Sequence, residues 1–376
     1  MVKKTLFFLL IISFLLTTTS CWDNLEIEHQ AFIIGMAIDK AENSDEIMVT
    51  FQIAQPQAFV TESQVAEPFW NITETARDIT TARNNLVRSI NWIPTFEHCQ
   101  VVLIGEDMAR EGLDQQLDFA LRTHEIRRKL QIGVVQGKAK DILEMKFKSG
   151  LIPSFVVSEM MYENSSHSYG VTDFMDISKL HTAFVEGYDF MLCRIVPMEG
   201  KLDMSGGAVF KNFKLVGWFS GEELTGARFL RGDAASGFLV VDLPSKLGDR
   251  VMLRVFEAKT NLKPEIRDGK LYAVLDIRLE GDITEIINSK SELSDSEFIK
   301  QCKVLFVKYV ENNVLNTFKK AQHEFASDPF RLKEKLMSYY PEFWSANQDS
   351  WDEIYQAAEL EINAEVRIRR LGEIKR

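Results

Sequence analysis

The chain has 376 residues, of which 45% are hydrophobic and 26% are charged, and its formal net charge is −11. This composition excludes intrinsic disorder, because disordered chains lack the aliphatic and aromatic residues that build a core, and the length predicts two or three domains. The acidic balance argues against nucleic acid as a partner and against broad adhesion to anionic lipid, since both need a basic face.

The first 20 residues have the pattern of an export signal. Lys3 and Lys4 precede an apolar run over residues 6–16, and small residues then lead to Ser20. A positive start, a short apolar middle and small residues before the cut are typical of secretory signals. The run is shorter than the roughly 20 apolar residues of a spanning helix. We therefore predict that residues 1–20 are a signal peptide.

A cysteine follows this signal directly, and it changes the interpretation. Cys21 after small residues is similar to a bacterial lipobox, although Thr18 stands where Leu is usual. We predict diacylglycerol on Cys21, because two acyl chains anchor a protein stably. An ordinary signal peptide and an uncleaved anchor are the alternatives. Trp22 and Asp23 come next, and this aromatic residue either lies at the membrane interface or packs into the first domain.

The region before residue 148 alternates between strand and helix patterns. The predicted elements are strands at 31–39 and 46–54, a loop at 55–70, a helix opening at Asn71 and Glu74, a strand at 99–104, a helix at 107–122, a strand at 130–136 and a helix at 138–147. Asn71 and Glu74 have the spacing of a helix start. Alternating strands and helices favour a mixed α/β layer.

The second half combines hairpins with one long helix. The predicted elements are a loop at 148–170, a helix at 174–185, a strand at 190–196, a linker at 197–207, a hairpin of 208–211 with 215–220, strands at 251–259 and 270–280, a helix from Ser294 to about 326, and a strand at 360–368. Ser294 and Glu297 form a capping box. The apolar stripe of this helix predicts a core-facing side, with a groove for a partner helix as the alternative.

These elements predict an α+β (mixed α/β) protein of about three mixed sheet-and-helix domains. The predicted boundaries are 1–20 for the signal peptide, 21–147 for an N-terminal α/β domain, 148–200 for a smaller subdomain or connector, and 201–376 for a C-terminal α+β domain.

No motif of catalysis is present in the sequence. It contains no G-x-S-x-G, P-loop, dinucleotide or H-E-x-x-H pattern, and its six histidines are scattered. Besides Cys21 the cysteines are Cys99, Cys193 and Cys302, which are too widely spaced to predict a disulfide framework. We expect buried free thiols, no metal, no cofactor and no enzymatic activity.

The densest basic segment is residues 122–129. Arg122, Glu125, Arg127 and Arg128 are its candidate contact residues for a partner subunit or a lipid headgroup. The alternatives are a solvated helix end with local ion pairs, and charges that are buried in pairs before the next strand.

Several segments resemble the Ger(x)C family, the lipoprotein subunits of spore germinant receptors. The segments are Cys21-Trp22-Asp23 with Glu26, Gly35 and Asp39; Glu97 to Glu106; Asp118, Arg122, Glu125 and Arg127; Gly206 to Gly217; and Pro341, Trp344, Trp351, Arg370 and Gly372. They occur in the family's order and cover nearly the whole mature chain. The departures are Thr18 and the irregular region 148–200.

The resemblance implies a non-enzymatic C subunit on the outer face of the spore inner membrane. The partners it implies are the membrane-spanning B subunit and the A subunit of a receptor that nutrients trigger. Two other classes compete with this interpretation. A lipoprotein that binds a small solute would need two lobes and a cleft, and an envelope hydrolase would need a nucleophile, metal or carboxylate pair.

Overall fold

The computed structural model describes residues 29–42, 45–55, 67–123, 125–147, 150–172, 175–234, 236–290 and 293–371, with the backbone of residues 164–167. The predicted signal peptide, Cys21, Trp22 and Asp23 lie outside the described residues. Within the described ranges, no helix has both the length and the apolar character needed to cross a membrane.

The first sheet is mixed and contains ten of the described strands. The strands are β1 (Gln30–Lys40), β2 (Ile47–Ala54), β3 (Phe69–Ala76), β4 (Ile93–Thr95), β5 (Val101–Gly105), β6 (Gln131–Val135), β7 (Phe190–Met198), β8 (Lys201–Asp203), β9 (Gly207–Lys211) and β10 (Lys214–Phe219). Their order is β10-β9-β7-β6-β5-β1-β2-β3, with β4 on β1 and β8 on β7. The strands β1, β4, β5, β6 and β7 run parallel to one another.

Helices cover both faces of this sheet. One face packs against α1 (Ile79–Ser89), α2 (Glu106–Glu111), α3 (Asp114–Arg122) and α6 (Ile177–Glu186), and the other against α4 (Ala139–Leu143) and α5 (Pro153–His167). Every residue of β5 and β6 is buried. Continuous apolar runs of this kind are what parallel strands with two covered faces require.

The predicted helix start at Asn71 is wrong, because this segment is β3. The Asn71 side chain does not cap a helix; its amide donates to the carbonyl of Leu143 at 2.8 Å and its oxygen accepts from Gln52 at 3.1 Å. Thr73 bonds to Thr50 across the pair of strands at 2.9 Å. The helix begins later, where the Asp78 carboxylate accepts the N–H of Thr81 at 2.7 Å.

Two other local predictions are also corrected. The predicted loop at 148–170 contains α5, whose buried residues Val157 and Met161 pack on the sheet. The predicted helix at 107–122 is two helices, because Gly112 between them has φ +138°, which only glycine adopts readily. The helix predicted at 138–147 shortens to α4.

The second sheet has the strand order β11-β12-β13-β14. Its strands are β11 (Gly237–Asp242), β12 (Arg250–Arg267), β13 (Lys270–Ile287) and β14 (Glu359–Ile368). Asp268 and Gly269 form the turn between β12 and β13 with φ of 51° and 77°. Two positive φ values suit a two-residue hairpin turn, so this predicted hairpin is confirmed. β14 pairs parallel to β13.

The remaining helices pack on the second sheet and near it. They are α7 (Gly221–Arg231), α8 (Asp295–Lys319) with a π-helical end (Lys320–Phe325), α9 (Leu332–Tyr339), α10 (Pro341–Asn347) and α11 (Trp351–Ala357). The Ser294 capping box is confirmed, with the Glu297 carboxylate accepting from the N–H of Ser294 at 3.3 Å. The predicted core-facing side of α8 is confirmed, since Phe298, Cys302 and Phe318 are buried.

The mixed α/β class is confirmed, with one mixed sheet in the first half and a second sheet in the C-terminal half. β7, β9 and β10 all belong to the first sheet, so that sheet extends to Phe219. The division at 147/148 and 200/201 stays a prediction. Phe219 contacts Phe325 and Phe330 at ring-centroid distances of 5.4 and 6.4 Å. The first half, which carries the first sheet up to Phe219, and the second half, which follows it and carries the second sheet, therefore meet through apolar contacts.

Candidate functional site

The basic segment lies at the edge of the first sheet where its parallel strands begin. It connects the end of α3 to the start of β6 at Gln131. The N–H of Gln131 donates to the carbonyl of Gln100 at 3.2 Å, and the N–H of Gln100 donates to Ile34 of β1 at 3.0 Å. These bonds place the segment beside the chain that enters β5 and level with Ile34, four residues after the start of β1.

Two of the candidate residues are engaged in local ion pairs. Arg122 Nε lies 2.6 Å from Asp118 Oδ1, one helical turn earlier. Glu125 lies 3.4 Å from an Arg83 nitrogen of α1. All four side chains keep substantial contact with solvent, so each pair contributes about 0.2–1 kcal/mol. These two residues fit the alternative of a solvated helix end.

Arg127 and Arg128 differ from them, because they are exposed and form no ion pair within the described part of the chain. Lys129 is exposed as well. The backbone under these cations is fixed: the N–H of Leu130 donates to the carbonyl of Arg127 at 3.0 Å, and Leu130 is buried. Three neighbouring cations are therefore presented to solvent on a rigid turn.

Apolar side chains lie at the same edge, and sequence reasoning missed them. Trp92 and Ile93 are 36% and 41% exposed where β4 begins. Trp92 meets the ring of Trp70 edge to face, with 5.7 Å between centroids. The only signal in the sequence was the aromatic Trp92 itself, which lies between the helix predicted after Asn71 and the strand predicted at 99–104. Ile93 pairs with Gln30 of β1.

We call the surface formed by Trp92, Ile93, Arg127, Arg128 and Lys129 the basic edge. Phe32 of β1 meets the ring of His98 at the same end of the sheet, with 5.2 Å between the ring centroids. Neighbouring strands are about 4.8 Å apart, so the basic edge spans only a few strand widths.

A second polar cluster joins the two halves of the protein. The Asp189 carboxylate accepts the N–H of Asp328 at 2.9 Å. Lys211 of β9 donates to the carbonyl of Ala326 at 2.6 Å and pairs with Asp352 at 2.7 Å. A cavity of about 290 Å³ opens beside Asp189. Its other charged and aromatic lining residues include Lys179, Tyr188, Arg231, Asp233 and Arg331.

Burial changes the acidity of both carboxyls in this cluster. Burial raises the pKa of Asp328 to about 7, and the nearby charge of Asp189 raises it further. The backbone N–H groups that bond to the carboxylate lower this pKa, but burial has the larger effect. Burial also raises the pKa of Asp189 above its ordinary value. Two carboxyls that share a buried site resist simultaneous ionisation.

The described cysteines are buried free thiols, as predicted. Burial raises the pKa of Cys99 and of Cys193 to about 12, so neither is a thiolate near neutral pH. No group of three or more metal-ligating side chains occurs within the described ranges.

Two family models match the chain, one in each half. A model described as a spore germination protein N-terminal domain matches residues 23–197. A model described as spore germination B3/GerAC-like, C-terminal, matches residues 205–372. Together they cover nearly all residues after the predicted signal peptide.

Individual proteins match along the whole chain. Spore germination protein B3 of Bacillus subtilis (strain 168) is 26% identical over 367 residues, which are 96% of each chain. Spore germination protein KC of the same strain is 27% identical over 399 residues and covers 99% of this chain and 97% of its own. The crystal structure of the GerBC protein has a TM-score of 0.60 at 21% identity, over 89% of this chain and 96% of its own. This last likeness shows the fold.

Proposed function

The chain belongs to the GerAC family of spore germination proteins, C-type subunits of germinant receptors, and from this premise we propose that it works as a lipid-anchored subunit on the outer face of the spore inner membrane. The observation that carries the anchor is Cys21, directly after an export signal. Two acyl chains on one thiol hold a protein stably at a bilayer.

The fold is suited to assembly. Family membership places the chain among non-enzymatic receptor subunits. An anchor would confine it to the membrane plane, and this raises its effective concentration toward the membrane-spanning B subunit and the A subunit. Nutrients trigger the assembled receptor in this proposal, and the C subunit contributes contacts and position.

The anchor is tested by Cys21→Ala in the sporulating cell. We expect the variant to lose labelling by a fatty-acid probe and to be retained less in the membrane fraction, because no thiol remains at the processing site. Ser20→Ala is the matched control; it keeps a small residue before the cut and should be labelled like the parent. Labelling of Cys21→Ala at the parent level would contradict the anchor.

The receptor role is tested by deleting the gene in spores whose other germinant receptors have been removed. We expect germination to fail with the nutrients that trigger this receptor and to return when the gene is restored. Normal germination of the deletion strain with every nutrient would refute the role.

A solute-binding lipoprotein is the competing function, and the cavity beside Asp189 is the place where it would act. A ligand that binds the folded chain raises its melting temperature by mass action. We expect no amino acid or sugar to raise the melting temperature of the isolated chain by more than about 1 °C. A shift of several degrees with one nutrient would favour the competing function.

A further inference from the structure

The length of chain before the first strand limits how the protein can sit on a membrane. Gln30 opens β1 at the edge where the parallel strands begin, nine residues after Cys21. Nine extended residues reach at most about 30 Å. β1 itself has 11 residues and is about 35 Å long. A tether from Cys21 therefore reaches the edge at which β1 starts, and it is too short to run back along β1 to the opposite edge.

The charges at this edge are opposite in sign to the protein as a whole. The chain carries a net charge of −11, whereas Arg127, Arg128 and Lys129 are three exposed cations in sequence. Two exposed acids, Glu97 and Glu125, lie in the adjoining chain segments, and Glu125 already pairs with Arg83. The half-buried Asp176 forms a backbone bridge to Gln131, and its carboxylate accepts the N–H of Lys179 at the start of α6. Among the described residues, three exposed cations thus stand together at the edge where β1 starts, and the stretch between Cys21 and Gln30 adds Asp23, Glu26 and Glu28.

The apolar part of the edge has the composition of a membrane interface. Trp92 and Ile93 are large, partly exposed and next to the start of β1. Tryptophan is enriched at the headgroup level of bilayers, because its ring is apolar and its N–H is polar. Basic residues beside it add electrostatic attraction to anionic lipid.

We infer that the basic edge lies against the bilayer, with Arg127, Arg128 and Lys129 on the phosphates of anionic lipids and with Trp92 and Ile93 at the headgroup level. The inference rests on the proposed anchor at Cys21. It adds an orientation: the parallel strands of the first sheet point away from the membrane. Each of the three cations contributes roughly fivefold to the affinity for an anionic surface.

The orientation is tested with the lipidated full chain and one introduced thiol. Lys129→Cys and Lys138→Cys are matched variants, because both lysines are exposed and they flank β6 at its two ends. Cys99, Cys193 and Cys302 are buried, and Cys21 is acylated, so a fluorescent maleimide reacts at the introduced position. The vesicles contain phosphatidylglycerol and a lipid with a nitroxide on its headgroup.

We expect the nitroxide to quench the label at position 129 at least twofold and to leave the label at position 138 unchanged. Adding Arg127→Glu and Arg128→Glu should remove the quenching at position 129, as should vesicles of phosphatidylcholine alone. Quenching at position 138, or at neither position, in protein that floats with the vesicles would overturn the orientation and leave the anchor intact. Protein that does not float would instead refute the anchor.

A partner protein is the other occupant that a basic, apolar edge could bind. In that case the label at position 129 would escape quenching in pure lipid vesicles and would be shielded from an aqueous quencher only after spore membrane proteins are added. This result would also overturn the inference.

Discussion

At the scale of single residues, Asp328 is a buried carboxyl whose pKa is raised by its burial. It is buried, and its carboxylate accepts the N–H groups of Phe330 at 3.2 Å and of Lys333 at 2.7 Å. These bonds fix the entry to α9, while Asp189 holds the same segment from the other half of the protein. The carboxyl serves as a structural acceptor at the junction, and burial makes its ionised form costly there.

Stability should therefore depend on pH through Asp328. Its pKa is about 7 in the folded protein and about 3.9 in an unfolded chain. A raised folded pKa means that the contribution to stability is fully present below about pH 4 and is lost as pH rises through 7. The full difference corresponds to at most about 4 kcal/mol.

We expect Asp328→Asn to flatten this dependence. The free energy of unfolding of the variant, relative to the parent, should increase between pH 4 and pH 8 in urea titrations. Asp268→Asn is the control, because Asp268 is an exposed turn residue with φ 51°, a conformation that asparagine also adopts. A difference between parent and Asp328→Asn that stays constant over this pH range would contradict the assignment.

At the scale of elements, α7 and α8 pack so closely that only glycine fits between them. A Cβ added to Gly226 would lie 2.7 Å from the backbone oxygen of Asn313 and 2.5 Å from Thr317 Oγ1. The Thr317 hydroxyl donates to the carbonyl of Glu223 at 2.9 Å, so it closes the same contact. The close packing of α7 against α8 thus depends on the absence of a Cβ atom at Gly226.

Gly226→Ala should destabilise the protein by about 1–3 kcal/mol, as overpacking of a core does, although alanine favours helix by about 1 kcal/mol. The measurement is the urea midpoint of unfolding. Glu222→Ala, an exposed position in the first turn of the same helix, should change the midpoint little. A Gly226→Ala protein as stable as the parent would show that the helices separate without cost.

At the scale of the whole molecule, one apolar core joins the two halves. Buried residues of the first sheet, among them Met191, Val209 and Phe219, belong to the same cluster as Phe318 and Phe330 of the second half. The hydrogen bonds of Asp189 and Lys211 also connect the first sheet to residues 326–328. Neither half can therefore expose its side of the junction without losing apolar burial.

We expect the two halves to unfold together. A variant that keeps only Trp70 and Trp92 reports on the first half, and one that keeps only Trp344 and Trp351 reports on the second. The urea midpoints of the two variants should coincide. Phe219→Ala empties a fully buried ring position; it should lower both midpoints together and reduce the free energy of unfolding by about 3–5 kcal/mol. Two separate transitions in the parent would contradict a shared core.

The sequence by itself determined the features that depend on neighbouring residues. The alternation of β14, the turn at Asp268 and the capping box at Ser294 were all predicted, because period, turn chemistry and caps act over a few positions. The export signal and the lipidation of Cys21 were predicted from equally local patterns, and they stay predictions. The same local reasoning failed for Asn71, whose spacing resembled a cap while its side chain bonds to distant residues.

Only the tertiary structure decided which elements meet. The parallel pairing of β14 with β13 and the extension of the first sheet through β10 join segments far apart in the chain. The candidate site also depends on contacts between distant segments. The sequence identified Arg127 and Arg128 as candidate contact residues, but Trp92 lies at the same edge only because β4, β1 and β6 begin there. Contacts between distant segments come from burial and strand pairing across the whole core, which no local pattern encodes.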